Sequence, residues 1–277
     1  MIGKLYKQMM KDSAKTIFSI ILISFLALTA PTLLQMFNMY GPMNQLAYVL
    51  YIVFLVGSHI AIFLIIIYRD YQNMFADRAY FYRSIPASGR SFTAARTLYY
   101  ISYHFIAVVS VILQLLLLGL MTYWTLAREG NFPALSEVIG QIWTAIKPYI
   151  FNEQFPRLVL AILTGTLLTC VSLPMIVSLG TQERLNRYGI GGPIIVGVIF
   201  SFINSIINFL IELQSGSLEA VNTVAEIGTT SMENGGPDTF IASIDRMPTW
   251  MILIELLLIL VCWGITTYST DHKIALR

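Results

Sequence analysis

Charge is scarce in this chain. Only 12% of its 277 residues are Asp, Glu, Lys or Arg, about half the ~25% usual in soluble domains, which excludes an ordinary soluble globule. Cysteine is scarcer still: Cys170 and Cys262 are the only two, each inside an apolar run, so neither a disulfide framework nor a Cys-based zinc or redox motif is expected. The sequence has no HExxH, no Glu-Glu-x-x-x-Arg, no Gly-x-Ser-x-Gly and no His/Asp/Glu cluster with metal-ligand spacing, which argues against an enzyme. It also lacks GxxxxGK[ST], so it cannot hold ATP phosphates by that route. A formal net charge of +2 is too small to suggest a nucleic-acid partner. What is present is apolar: 56% hydrophobic residues and a mean hydropathy of +0.71. Sixteen Phe, 15 Tyr and 4 Trp exclude a solvated, disordered chain. The expected class is an all-α integral membrane protein.

Six stretches are long enough to cross a bilayer, which takes ~20 apolar residues. They lie near 17–37, 47–67, 98–127, 158–180, 188–211 and 249–268. The first exceeds the ~7–15 residues of a signal-peptide core and has no A-x-A site, so it is expected to be a permanent anchor. An even number of spans puts both termini on one side. Lys4, Lys7, Lys11, Lys15, Arg69, Arg78, Arg83, Arg90, Arg96, Arg184, Arg187, Lys273 and Arg277 then share that side, leaving Arg128, Lys147, Arg157 and Arg246 opposite. Basic residues in short loops resist translocation, so the termini are expected in the cytoplasm of a multi-pass protein of the bacterial plasma membrane. The acidic residues Glu219, Glu226, Glu233, Asp238 and Asp245 fall in the loop between spans five and six, on the outer side.

Amphipathic segments flank the spans. Ile2, Leu5, Tyr6, Met9 and Met10 recur at helical spacing, with Lys4, Lys7, Lys11 and Lys15 on the opposite face. This predicts an interfacial helix over residues 1–16 lying flat on the inner leaflet, its lysines toward anionic headgroups; a basic tail that only sets topology is the plainer reading. In the outer loop 128–157, Leu135, Val138, Ile139, Ile142, Trp143, Ile146 and Ile150 form one stripe. Pro133 suits a helix start, and Pro148 is expected to end or kink that helix. The outer loop 212–248 is read as two short helices, 218–227 and 238–245, around a Gly-rich turn. The domain expectation is a single transmembrane domain, 1–277.

The inner segment 68–97 is longer than a reversal of direction needs and mixes aromatics with arginines. Asn73, Met74, Phe75, Tyr80, Ile85 and Pro86 fall in an order that resembles the intracellular loop of bacterial ABC exporter permeases of the type-2 class. There Ala79 stands where Gly is usual, Ile85-Pro86 for Leu-Pro, and Ala95-Arg96 for Ser-Lys. The order of parts is similar over the whole chain, down to an aromatic, basic and Leu-rich tail at 268–277.

The resemblance implies a permease subunit forming half of a translocation pathway, paired with a second copy or a similar permease. It implies separate ABC ATPase subunits that bring ATP and Mg, with no cofactor in this chain. It further implies a short coupling helix in 68–97 that docks on the ATPase. Met74, Phe75 and Tyr80 are then the expected apolar anchors, Asp77 and Arg78 polar contacts, Ile85 part of the docking segment and Pro86 the rigid turn into span three. The plainer alternative for these aromatics is a belt at headgroup level. The apolar spans suit an amphipathic cargo such as a lipid, a peptide or an antimicrobial compound.

Within the spans, Glu212 and Glu255 sit toward the outer leaflet and either line an exit path or pair with Arg157 or Arg246. His59 and His104 read as hydrogen-bonded packing residues or as titrating groups. Pro31 and Pro174 mark kinks, Pro193 a helix start, and Gly191 and Gly192 a close approach to another helix. Two other functions compete: an ion-coupled secondary transporter, which wants midplane carboxylates and related halves, and a non-transporting membrane scaffold or sensor subunit.

Overall fold

The computed structural model describes residues 1–36, 42–76, 78–128, 134–153, 155–182, 185, 187–214 and 249–272. These form eight helices of substantial definition: α1 (Ile2–Met36), α2 (Pro42–Phe75), α3 (Ala79–Arg83), α4 (Gly89–Arg128), α5 (Leu135–Ile150), α6 (Phe155–Gly180), α7 (Gly191–Gln214) and α8 (Thr249–His272). Six of them are long and apolar enough to cross a membrane: α1, α2, α4, α6, α7 and α8. Large apolar side chains on these helices stay uncovered, Phe202 at 67% and Leu260 at 71% exposure among them, as lipid rather than water is their natural surrounding. The two outer-loop helices expected at 218–227 and 238–245 lie outside the described residues.

The helices group into two compact units. The first comprises Met1–Ala134 with Thr270–Lys273, the second Leu135–Ser269 with Ile274–Arg277. In the first unit α1 packs on α2 and α4, and α3 on α2. Leu5, Met9, Ser13 and Ile17 recur every fourth residue on α1 and are all buried, while Lys4, Lys7, Lys11 and Lys15 are exposed. This corrects the expectation of a separate interfacial helix over 1–16. No Gly or Pro lies between Gly3 and Pro31 to break the helix, and its stripe finds protein. Tyr6 Oη bonds Ser102 Oγ of α4 at 2.8 Å, and Ser13 Oγ bonds Tyr103 Oη at 2.9 Å.

In the second unit α6 lies against α7, and Val171, Met175 and Cys262 form a small core with Leu167, Phe200 and Trp263 packed around it. Gly180 and Gly192 let the ends of α6 and α7 approach closely: a Cβ on Gly180 would run into the backbone of Pro193, and one on Gly192 into the carbonyl of Gly180. Gly189, at φ 55°, occupies the left-handed conformation that glycine tolerates best. The amphipathic stripe from Leu135 to Ile150 is the helix α5, with Pro148 in its last turn and the helix ending two residues later at Ile150.

Candidate functional site

Helices α2 and α4 run on past their apolar segments and carry the expected coupling segment at their joined end. α2 ends at Phe75, where Arg78 N–H reaches back to Gln72 O at 3.3 Å and Ala79 N–H to Ala76 O at 2.9 Å. The five-residue α3 follows. Pro86 then keeps Ile85 out of helical geometry, and Ser88 opens α4, its carbonyl accepting from Ser91 N–H at 2.9 Å and Phe92 N–H at 3.1 Å. Gly89 N–H donates to Asp271 Oδ1 at 2.6 Å, tying the start of α4 to the last turn of α8 within the same unit.

Beneath this segment lies a buried polar platform. Arg96 clasps Asp70 side-on, Nε to Oδ1 at 2.9 Å and the terminal nitrogen to Oδ2 at 2.6 Å, and Tyr100 donates to the same Oδ2 at 3.1 Å. Both charged side chains are essentially sealed from solvent. The guanidinium also stands 5.8 Å from the Phe75 ring centre, within cation–π range. A second link joins α3 to α1: Tyr82, fully buried, donates to Asp12 Oδ2 at 2.8 Å, and Arg78 approaches the same oxygen at 3.5 Å. Burial, and then the hydrogen bond to the Asp12 carboxylate, push the Tyr82 phenol well above its ordinary pKa. Arg69 adds a bond to Thr16 at 3.1 Å.

The expected docking residues divide by exposure. Tyr80 is 83% exposed, Phe81 beside it 55%, and Arg78 and Pro86 are exposed as well. Phe75 and Ile85 are half-buried. Met74, at 5% exposure, turns inward, because it lies on the α2 face of Asp70 one turn earlier; it packs within this chain and leaves little surface for a partner. Asp77 lies outside the described residues. Phe81, Tyr82, Asp12 and the Asp70–Arg96 pair escaped the sequence reading. Opposite charges on two helices, each within two turns of the segment that joins them, were the available signal for the last.

The second unit holds a cleft of about 180 Å³ among α6, α7 and α8, with Gly165, Thr169, Ser172, Asn204, Asn208 and Glu255 on its polar side. Thr164 Oγ1 donates a short hydrogen bond to Glu255 Oε2. Among the described residues neither Arg157 nor any other cation forms an ion pair with Glu255, and Arg246 lies outside them. Glu212 falls in the last turn of α7, its side chain outside the described set. No group of three or more His, Cys, Asp or Glu among the described residues is placed to hold a metal. Comparison with protein families, with curated proteins and with solved structures finds no match.

Proposed function

We propose that the chain is the membrane-spanning subunit of an ABC-type exporter, forming half of a pathway with a second permease and driven by separate ATPase subunits. The observation that carries this reading is the pairing of an exposed aromatic tip, Tyr80 and Phe81, with a rigid base under it. Large aromatics left uncovered beyond the end of a span are the usual anchors of an interface. The Tyr82–Asp12 bond connects that tip to α1, and the Asp70–Arg96 bonds join α2 to α4 beneath it, so a push on the tip moves helices rather than a loop. A flexible tether could not transmit work to a pathway.

The charge distribution supports a cytoplasmic position for this tip, where ATP is available, and the sequence has no phosphate-binding loop of its own. Supply of energy in trans follows. The test is purification in mild detergent from the native membrane. An ATPase in equal amount that is lost on replacing Tyr80 and Phe81 with Ala, with membrane insertion unchanged, supports the reading. Equal recovery of ATPase with unchanged turnover in the double variant, or no ATPase with the wild type, overturns it.

Glu255 gives the secondary-transport reading its one foothold, a carboxylate in a cleft between spans. Transport that persists without ATP and collapses with the proton gradient would favour it.

A further inference from the structure

We infer that the cleft beside Glu255 binds the cationic head of an amphipathic molecule, a primary ammonium or a guanidinium, while the apolar remainder stays in the bilayer. An ionised carboxylate inside an apolar span is costly unless something answers its charge, and among the described residues nothing does. Thr164 Oγ1, whose one proton also has Ala161 O within reach at 3.1 Å, meets one oxygen, Oε2. The other, Oε1, faces Gly165, where a Cβ would already stand in van der Waals contact with it at 3.7 Å.

The remaining polar wall is rich in acceptors. The Thr169 hydroxyl donates its proton to Gly165 O at 3.0 Å, and the Ser172 hydroxyl donates to Thr169 O at 3.0 Å. Each therefore has lone pairs, not a proton, left to offer the cleft. Asn204 and Asn208, one turn apart on α7, each add an amide carbonyl together with an NH2 that can donate. A carboxylate with these acceptors beside it suits a ligand that carries several N–H donors and positive charge. An anion would meet the Glu255 carboxylate with like charge, and a neutral solute would leave that charge unanswered.

Size separates head from tail. At about 180 Å³ the cleft is close to the roughly 150 Å³ that accommodates a benzene-sized group, and below the ~300 Å³ where sites for whole drug-sized molecules begin. Phe200 and Leu258 line its apolar side, so the first methylenes of a chain also find contact.

This deepens the transport reading by naming the class of cargo. Binding is measured on the purified chain without nucleotide or ATPase, so failure of the cleft and failure of the ATPase assignment are read separately. The probe is a fluorescent dodecylamine, with the matching dodecanol as the uncharged control, titrated into the full chain in phosphatidylcholine nanodiscs and corrected for empty discs. The amine should bind at least about tenfold more tightly than the alcohol, and Glu255→Gln should remove about tenfold or more of the amine affinity while leaving the alcohol unchanged. Gly165→Leu keeps the charge but fills the cleft, and should weaken the amine similarly, which serves if Glu255→Gln fails to fold.

Amine affinity unchanged in either folded variant, or equal binding of amine and alcohol to the wild type, overturns the assignment. So does a Glu255→Gln chain that loses thermal stability alone, the result expected of an internal ion pair with Arg246. Exchanging part of the lipid for phosphatidylethanolamine tells the sources apart: competition with the amine at the wild type identifies a lipid headgroup, and its absence a free amphiphile. Either result supports an ammonium site.

Discussion

The Tyr82 hydroxyl and the Asp12 carboxylate meet at 2.8 Å although 70 residues separate them, and their bond is the direct tie between the tip helix α3 and the N-terminal helix α1. Its pH behaviour follows from the raised phenol pKa. A tyrosine held neutral in the folded state contributes stability that is fully present below the unfolded pKa of ~10 and is lost as pH rises past it. The wild type should therefore lose thermal midpoint more steeply between about pH 9 and pH 11 than Tyr82→Phe, which has no proton to lose. At neutral pH the same substitution should cost about 1.5–3 kcal/mol, the range for a hydrogen bond to a charged group. Parallel slopes in the two proteins would show that Tyr82 does not titrate with unfolding.

The Asp70–Arg96 pair has a different signature. Both side chains are buried and their geometry is two-pronged, so removing either strands the other. Arg96→Ala and Asp70→Ala should each destabilise the first unit by about 3–5 kcal/mol, and Asp70→Leu with Arg96→Met should recover much of that loss. Thermal unfolding in detergent, followed by circular dichroism, reads all three. If the double variant proves as unstable as the singles, the pair is needed for more than charge balance, with Tyr100 the next partner to test.

Gly180 and Gly192 form a contact in which backbone meets backbone, which a flexible neighbour cannot relieve. Gly180→Ala or Gly192→Ala should force α6 and α7 apart at that end and cost about 1–3 kcal/mol, as overpacking does elsewhere. Gly264, which has open space around its Cβ position, should accept Ala with no loss. Comparing the thermal midpoints of the three variants separates close approach from a general intolerance of substitution.

Helix number and polarity pattern were legible because hydropathy runs and helical spacing are local properties. The Gly192 approach was legible for the same reason, since small residues at a helix start mark it, whereas Gly191 beside it faces Tyr188 of the preceding turn. Helix ends were not. α4 starts at Gly89 rather than near 98, and α2 continues to Phe75, through turns bearing Arg96 and Asp70 that hydropathy counts as polar. Their charges cancel across the hairpin, a pairing over 26 residues that no local pattern encodes. Met74 shows the limit from the other side: an apolar residue in a loop-like stretch reads as an anchor, and only the register of α2 against its neighbours shows that it points inward. Glu255 stood out as the lone carboxylate of its span, whereas its cleft needed Asn204 and Asn208 from another helix.

Met74 and Tyr80 are six positions apart in sequence, and their contrast in exposure gives the sharpest test of the docking tip. Met74 is a packed side chain, so Met74→Ala should lower stability by about 2–5 kcal/mol, with any loss of partner binding following from unfolding. Tyr80 is 83% exposed and bears little of the fold, so Tyr80→Ala should leave the thermal midpoint within about 0.5 kcal/mol of wild type. If Tyr80 is an interface anchor, its loss should nonetheless weaken the partner by about 2 kcal/mol or more, roughly thirtyfold in affinity. Measuring both midpoint and ATPase retention for each variant yields opposite patterns, stability without docking for Tyr80→Ala and the reverse order of losses for Met74→Ala. A Tyr80→Ala protein that keeps both would place the aromatic at the headgroup belt, where its exposure reflects contact with lipid rather than with a partner.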